Sequence, residues 1–214
     1  MLERPIQLAV LVSGSGTTLQ NLIDEIDAAR SNAHVALVIG SRPGLAGVER
    51  ADNAGIRNEV VDRRAMDCAA FSRRVFDLCR EARVELICLA GWLCLLDVPD
   101  EFAGRVMNIH PALLPSFGGR GMYGRKVHEA VLAHGCKVSG CTVHFVDNSY
   151  DTGPIILQRT CSVLDEDTPE TLAHRVFEEE KVAYPEAIRL FQQGRLKMEG
   201  RRVKVLPADS MKAT

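Results

Sequence analysis

Ile6-Gln7-Leu8-Ala9-Val10-Leu11-Val12, then Ser13-Gly14-Ser15-Gly16-Thr17-Thr18, then Leu19-Gln20-Asn21-Leu22-Ile23 is the stretch on which the fold turns. The first run is continuously apolar and too short for a helix, which predicts a buried strand. Leu19, Leu22, Ile23 and Ile26 recur at helical spacing and share one face, with Thr17 and Gln20 spaced as a capping box. Strand, glycine turn and helix N-terminus together form a cradle for an anion. A dinucleotide fingerprint would need a third glycine where Leu19 stands, and the strand at 34–39 ends in Gly40-Ser41 without a ribose-binding acid. The expected ligand is therefore a mononucleotide-type phosphate. A plain turn with glycines for close packing would also produce this pattern.

Outward from this turn the pattern recurs. A short segment at 58–61 and an apolar run at 86–90 are expected as further strands, and helical spacing over about 45–54 and 71–82 fills the gaps. Strands alternating with helices imply a parallel sheet with right-handed crossovers, whose ligands sit beyond the carboxyl ends of the strands. Gly91-Trp92-Leu93-Cys94-Leu95-Leu96 lies just past one such end, and its apolar character fits either a pocket lining or ordinary core. A strand over 105–110 is stopped by Pro111 and Pro115, a glycine-rich lid candidate covers 116–124, and a helix follows over 125–133. Runs at 137–146 and 155–162 predict an antiparallel pair joined around Asp151-Thr152-Gly153-Pro154. Thr168-Pro169-Glu170 starts a helix as N-cap, N1 proline and first-turn acid, and Gly194 stops it. A terminal hairpin (196–198 with 203–205) and a frayed tail at 207–214 complete the chain. The expected fold class is α/β: one doubly wound, mostly parallel but mixed sheet with helices on both faces, forming a single domain over 1–206.

Chemistry concentrates in Asn108-Ile109-His110-Pro111. Asn108 and His110 stand two apart on one strand and so face the same side. An amide can donate to a developing oxyanion, an imidazole can carry a proton near neutral pH, and Asp151 can keep an imidazolium charged. A lone buried histidine is more often a hydrogen-bonded core residue, so the case for His110 rests on this company. His134, Cys136, Cys141 and His144 superficially resemble a zinc set, but Cys141 and His144 project from opposite faces of a strand, and no metal is assigned. No cysteine stands beside a catalytic-looking histidine as a nucleophile. Glu178-Glu179-Glu180-Lys181 reads as a solvated helix face from which one acid can still reach a ribose hydroxyl.

Composition narrows the partners. A net charge of −2 and a pI near 6.3 provide no basic field for nucleic acid or an anionic membrane, and no segment is long and apolar enough to span a bilayer. The N-terminal residues lack the pattern of a signal peptide. Seven scattered cysteines, an odd number, fit buried thiols in a reducing compartment, and the expected location is cytoplasmic.

Five motifs together resemble the glycinamide ribonucleotide formyltransferase family of folate-dependent enzymes: Ser13-Gly14-Ser15-Gly16; Leu89-Ala90-Gly91-Trp92; Asn108-Ile109-His110-Pro111-Ala112-Leu113-Leu114-Pro115; Gly140-Cys141-Thr142-Val143-His144-Phe145-Val146; and Asp151-Thr152-Gly153-Pro154-Ile155-Ile156. The resemblance runs from the first strand to Gly194. It implies a phosphate-binding N-terminal half, a folate-binding C-terminal half, and formyl transfer from the co-substrate 10-formyltetrahydrofolate to the amine of glycinamide ribonucleotide, in purine synthesis. By resemblance Asn108, His110 and Asp151 are catalytic, Gly16, Thr17 and Thr18 hold the phosphate, and Glu180 holds the ribose. Leu93, Cys94, Leu95 and Leu96, with Asn108, Asp147 and Asp151, meet the folate. Two positions depart from the family: Thr18 stands where many relatives carry asparagine, and Cys68 where many carry an arginine facing the folate's glutamate tail, with Arg63 and Arg64 nearby as substitutes. A methionyl-tRNA formyltransferase or a formyltetrahydrofolate deformylase would need a further domain for which 214 residues leave no room. Transfer to a different amine acceptor is compatible with the same motifs. A non-catalytic phosphometabolite-binding protein would keep the phosphate turn but have no need of Asn108, His110 and Asp151. Monomer and homodimer both remain open.

Overall fold

The computed structural model describes residues 4–208, and its strands run in the order β3-β2-β1-β4-β5-β6-β7-β9-β8 of one mixed sheet. Two compact units divide the chain, Met1–Asn108 and Ile109–Thr214.

In the first unit β1 (Ile6–Val12) lies between β2 (Ala33–Gly40) and β4 (Leu86–Leu89), while β3 (Asn58–Val60) joins β2 and β5 (Val106–His110) joins β4; all four pairings are parallel. Side chains from Leu8 to Val12 are wholly shielded from water. Successive residues point to opposite faces, so both faces of the sheet are covered, which is why this run is apolar throughout rather than alternating. Each buried Leu or Val contributes about 1.5–3 kcal/mol. The covering helices are α1 (Thr17–Asp27), α2 (Ala46–Asn53) and α3 (Cys68–Glu81). Helix α3 starts ahead of its apolar periodicity because the Asp67 carboxylate accepts from the Ala70 N–H at 2.7 Å, a polar cap that needs no apolar neighbour. Strand order reverses at β1, so the segments leaving β1 and β4 flank a topological switch point.

In the second unit β6 (Val138–Phe145) pairs antiparallel with β7 (Ile155–Ser162) as expected, β9 (Arg202–Val205) adds parallel to β7, and β8 (Leu196–Glu199) closes the terminal hairpin. Helices α4 (Arg125–Ala133) and α5 (Pro169–Gln192) complete it. Thr168 caps α5 reciprocally with Thr171: each side chain takes the other's backbone N–H, at 3.3 and 2.9 Å. Most of the tail expected at 207–214 lies outside the described residues.

Candidate active site

The glycine turn after β1 differs from its sequence reading at the cap. Gly16, not Thr17, is the N-cap of α1; its φ of 73° is in the left-handed region, and a Cβ there would come within 2.5 Å of the Gly47 Cα. Glycine is thus required twice over, by dihedral and by close approach. No side chain caps α1; Gln20 instead donates to Asp24 and accepts from Arg50 at 3.0 Å, so the predicted Thr17–Gln20 box does not form. Arg50 also donates to the Ser15 carbonyl at 2.8 Å, and the Gly47 N–H to that of Gly14 at 3.1 Å, which fixes the outer side of the turn. The first-turn N–H groups of α1, at the helix's positive end, carry no side-chain cap. Thr17 is exposed and Thr18 buried at its rim. Beside it the Ser13 hydroxyl accepts from Ser41 Oγ (2.9 Å) and from the Leu93 N–H (3.1 Å), tying the segments that follow β1, β2 and β4 to one point.

Around Asp151 the second unit gathers two imidazoles. His110, at the end of β5, has Nδ1 3.6 Å from Asp151 Oδ2, and His144, near the end of β6, has Nε2 3.7 Å from Oδ1. The Gly119 N–H donates to Oδ2 at 2.9 Å. Both histidine tautomers follow from their carbonyl partners, which can only accept. His110 Nε2–H donates to the Phe117 carbonyl (2.8 Å) and His144 Nδ1–H to the Phe145 carbonyl (2.8 Å). The remaining nitrogen of each ring therefore faces the carboxylate, and His110 Nδ1 is the atom positioned to gain or lose a proton. Burial lowers the His110 pKa below its ordinary value; Asp151 and the Phe117 carbonyl push it up but do not prevail, and a charged His144 lowers it further. Asp151 acts in the direction the sequence reading expects, favouring the imidazolium, while desolvation acts against it more strongly. Burial also raises the Asp151 pKa, yet the His144 hydrogen bond, the His110 charge and the Gly119 N–H together hold it below the usual carboxylate value. Gly118 packs here too, since a Cβ would meet Leu114 at 2.4 Å and the Asp151 Cβ at 3.3 Å. Behind His110 the buried Thr142 hydroxyl donates to the Ala112 carbonyl (2.6 Å) and accepts from the Leu114 N–H (3.0 Å) and Gln158 (2.9 Å), holding the chain beyond the histidine in place.

Asn108 is half-buried, two residues before His110 on β5. Of residues 93–96, Leu96 is core, Cys94 and Leu95 are half-buried and Leu93 is 45% exposed, so the plain core reading fits Leu96 alone. Asp147 spends its carboxylate on its own turn, accepting from the Ser149 N–H and the Thr152 hydroxyl. The acidic run on α5 divides: Glu178 pairs with Lys181 and Glu179 with Arg159, as solvated charges do, whereas burial pushes Glu180 up to about 7. His144, which the sequence reading weighs for chemistry only within a zinc set that it rejects, stands beside Asp151 and is not singled out by sequence for that cluster.

The first unit is thus an α/β sheet with a glycine turn at its switch point, and the second carries an imidazole–carboxylate cluster. Residues 6–188 match the formyl transferase family model, and the chain belongs to that family. Among solved structures, it superposes on glycinamide ribonucleotide transformylase 1 from Symbiobacterium toebii with a TM-score of 0.88 at 44% identity, covering 95% of each chain. It is 40% identical over 196 residues to the chloroplastic phosphoribosylglycinamide formyltransferase of Arabidopsis thaliana, covering 89% of this chain and 67% of that protein. A third relative is the trifunctional purine biosynthetic protein adenosine-3 of Gallus gallus, 41% identical over 192 residues. This chain spans 19% of that protein's length.

Proposed function

We propose that this protein transfers the formyl group of 10-formyltetrahydrofolate to the amine of glycinamide ribonucleotide, giving formylglycinamide ribonucleotide and tetrahydrofolate in purine synthesis. The observation that carries the reading is the cluster of His110 and Asp151 at the end of the strand that also bears Asn108. The substrate amine is the nucleophile, so no activated Ser or Cys is needed. As its nitrogen bonds to the formyl carbon, negative charge develops on the formyl oxygen. The Asn108 amide and protonated His110 stabilise that charge, a type of contribution worth roughly 10²–10³ in rate. The C–N10 bond then breaks as protonated His110 gives its proton to N10, and the proton lost by the amine restores the imidazolium that Asp151 stabilises. The turn at Gly16, Thr17 and Thr18 receives the substrate phosphate and Glu180 the ribose. Leu93 to Leu96 and the loop from Asp147 to Asp151 receive the pteridine. The single domain over 1–206 acts in the cytoplasm as a monomer or homodimer. No disulfide links the seven cysteines, all of which lie among the described residues, and no described helix is long and apolar enough to cross a membrane.

The test is release of tetrahydrofolate with and without glycinamide ribonucleotide. Release only with the acceptor is expected. Acceptor-independent release marks a deformylase, and no release marks a phosphometabolite-binding protein.

A further inference from the structure

Asp151 sits in a turn that the turn's own residues hold only in part. Its φ of 56° is left-handed, a conformation that costs energy for a residue with a side chain and persists where the surroundings fix it. Within the loop, the Thr152 hydroxyl donates to both Asp147 oxygens (2.8 and 2.9 Å), and the Phe145 N–H donates to the Pro154 carbonyl at 2.9 Å. At Gly153 a Cβ would come within 1.8 Å of the Phe145 carbonyl oxygen, so the returning chain lies directly against the end of β6. These contacts close the base of the turn. The backbone just past Asp151 is held from elsewhere.

Arg201, between β8 and β9 at the tip of the terminal hairpin, donates from Nη2 to the Thr152 carbonyl at 2.8 Å, across 49 residues of sequence. The hairpin that presents it is braced at both ends. At its base Arg195 Nε donates to the Leu206 carbonyl (2.6 Å) and the Leu206 N–H to the Arg195 carbonyl (2.8 Å), while β9 pairs with β7 where Arg202 meets Ile155. Arg201 has no acidic partner among the described residues, so the Thr152 carbonyl is its one hydrogen bond. A single exposed bond of this kind adds little to global stability, and its weight is local. It fixes the peptide that follows Thr152, one residue past Asp151. The carboxylate keeps its distances from the Gly119 N–H (2.9 Å) and His110 (3.6 Å) only while that backbone stays in place.

We propose that Arg201 is a positioning residue for formyl transfer: by holding the Thr152 carbonyl it keeps the Asp151 carboxylate against His110, which makes the terminal hairpin a strap on the site. The inference rests on the reading that His110 and Asp151 carry out that reaction. Arg201 acts through Asp151 and makes no contact with His110. Its neighbour Arg202 carries the same charge on the same hairpin but forms no side-chain hydrogen bond or ion pair among the described residues, and so provides the control.

The experiment follows the His110 imidazole by NMR titration, its signals identified by their absence from His110→Ala, alongside steady-state formyl transfer. Asp151, His144 and His128 are the titratable groups in electrostatic contact with this ring. The sign of the change is diagnostic: loss of a nearby cation alone raises a histidine's pKa, whereas withdrawal of the Asp151 carboxylate lowers it. Arg201→Ala is expected to lower the His110 pKa and to cut kcat about three- to tenfold, the worth of one hydrogen bond, with the KM for the ribonucleotide and the unfolding midpoint near wild type. Arg201→Lys keeps a donor and should recover part of kcat, and Arg202→Ala should leave both readouts unchanged. An unmoved or raised His110 pKa in Arg201→Ala overturns the proposal, as does an equal effect of Arg202→Ala. The titration needs no reaction, so the two readings fail separately. A lowered His110 pKa in Arg201→Ala, with no transfer by the wild type, refutes the reaction and leaves the strap on Asp151 standing, while transfer with an unmoved His110 does the reverse.

Discussion

His110 is held by acceptors on both ring nitrogens, the Phe117 carbonyl at 2.8 Å and the Asp151 carboxylate at 3.6 Å. That arrangement is fully satisfied only by the imidazolium, while burial favours the neutral ring. Two opposed tendencies of this kind leave a histidine responsive to charge arriving nearby, as an oxyanion does. His110→Ala and Asp151→Asn are each expected to lower turnover by at least ~10² without loss of the fold, and near-normal rates in both would contradict the mechanism. Glu180 obeys the opposite rule. Its folded pKa, about 7, lies above its unfolded value, so its contribution to stability is full below the unfolded pKa and is lost as pH rises through about 7. Glu180→Gln should therefore gain stability over the wild type at pH 8 relative to pH 4.5, on the order of 2 kcal/mol, in denaturant titrations at the two pH values. It should also raise the KM for the ribonucleotide. No relative gain at pH 8 would show that the carboxyl is solvated. The sequence placed Glu180 within a charge run but could not single it out, because only packing distinguishes it from Glu178 and Glu179.

Among the elements, those set by periodicity and local capping were legible in advance: β1 from an unbroken apolar run, α5 from Thr168 and Pro169, and β6 with β7 from their length and intervening turn. What escaped was set by distant contacts. Gly16 takes the cap of α1 because Gly47 of α2 presses on it, and nothing local to Thr17 reports that. Gly16→Ala is expected to cost about 1–2 kcal/mol in unfolding free energy from its left-handed φ alone, more with the Gly47 contact, and to weaken binding of the ribonucleotide. An unchanged unfolding midpoint would contradict the close approach. Thr142 is the matching device in the second unit. Thr142→Val keeps the shape but orphans the Leu114 N–H, and should destabilise by about 1–3 kcal/mol while lowering turnover through a displaced His110. Full turnover in a destabilised variant would show that the Ala112–Leu114 segment does not position the histidine.

For the molecule as a whole, fold and candidate chemistry were unequally readable. The α/β sheet follows from alternating periodicity, whereas the grouping of His110, His144 and Asp151 joins three separate segments and needs the folded chain. The central claim is that this grouping serves transfer to an amine rather than hydrolysis, and the stoichiometry of products tests it most directly. With 10-formyltetrahydrofolate and glycinamide ribonucleotide both present, tetrahydrofolate and formylglycinamide ribonucleotide should accumulate in equal amounts without free formate. Tetrahydrofolate matched by formate, with the ribonucleotide unmodified, would contradict it.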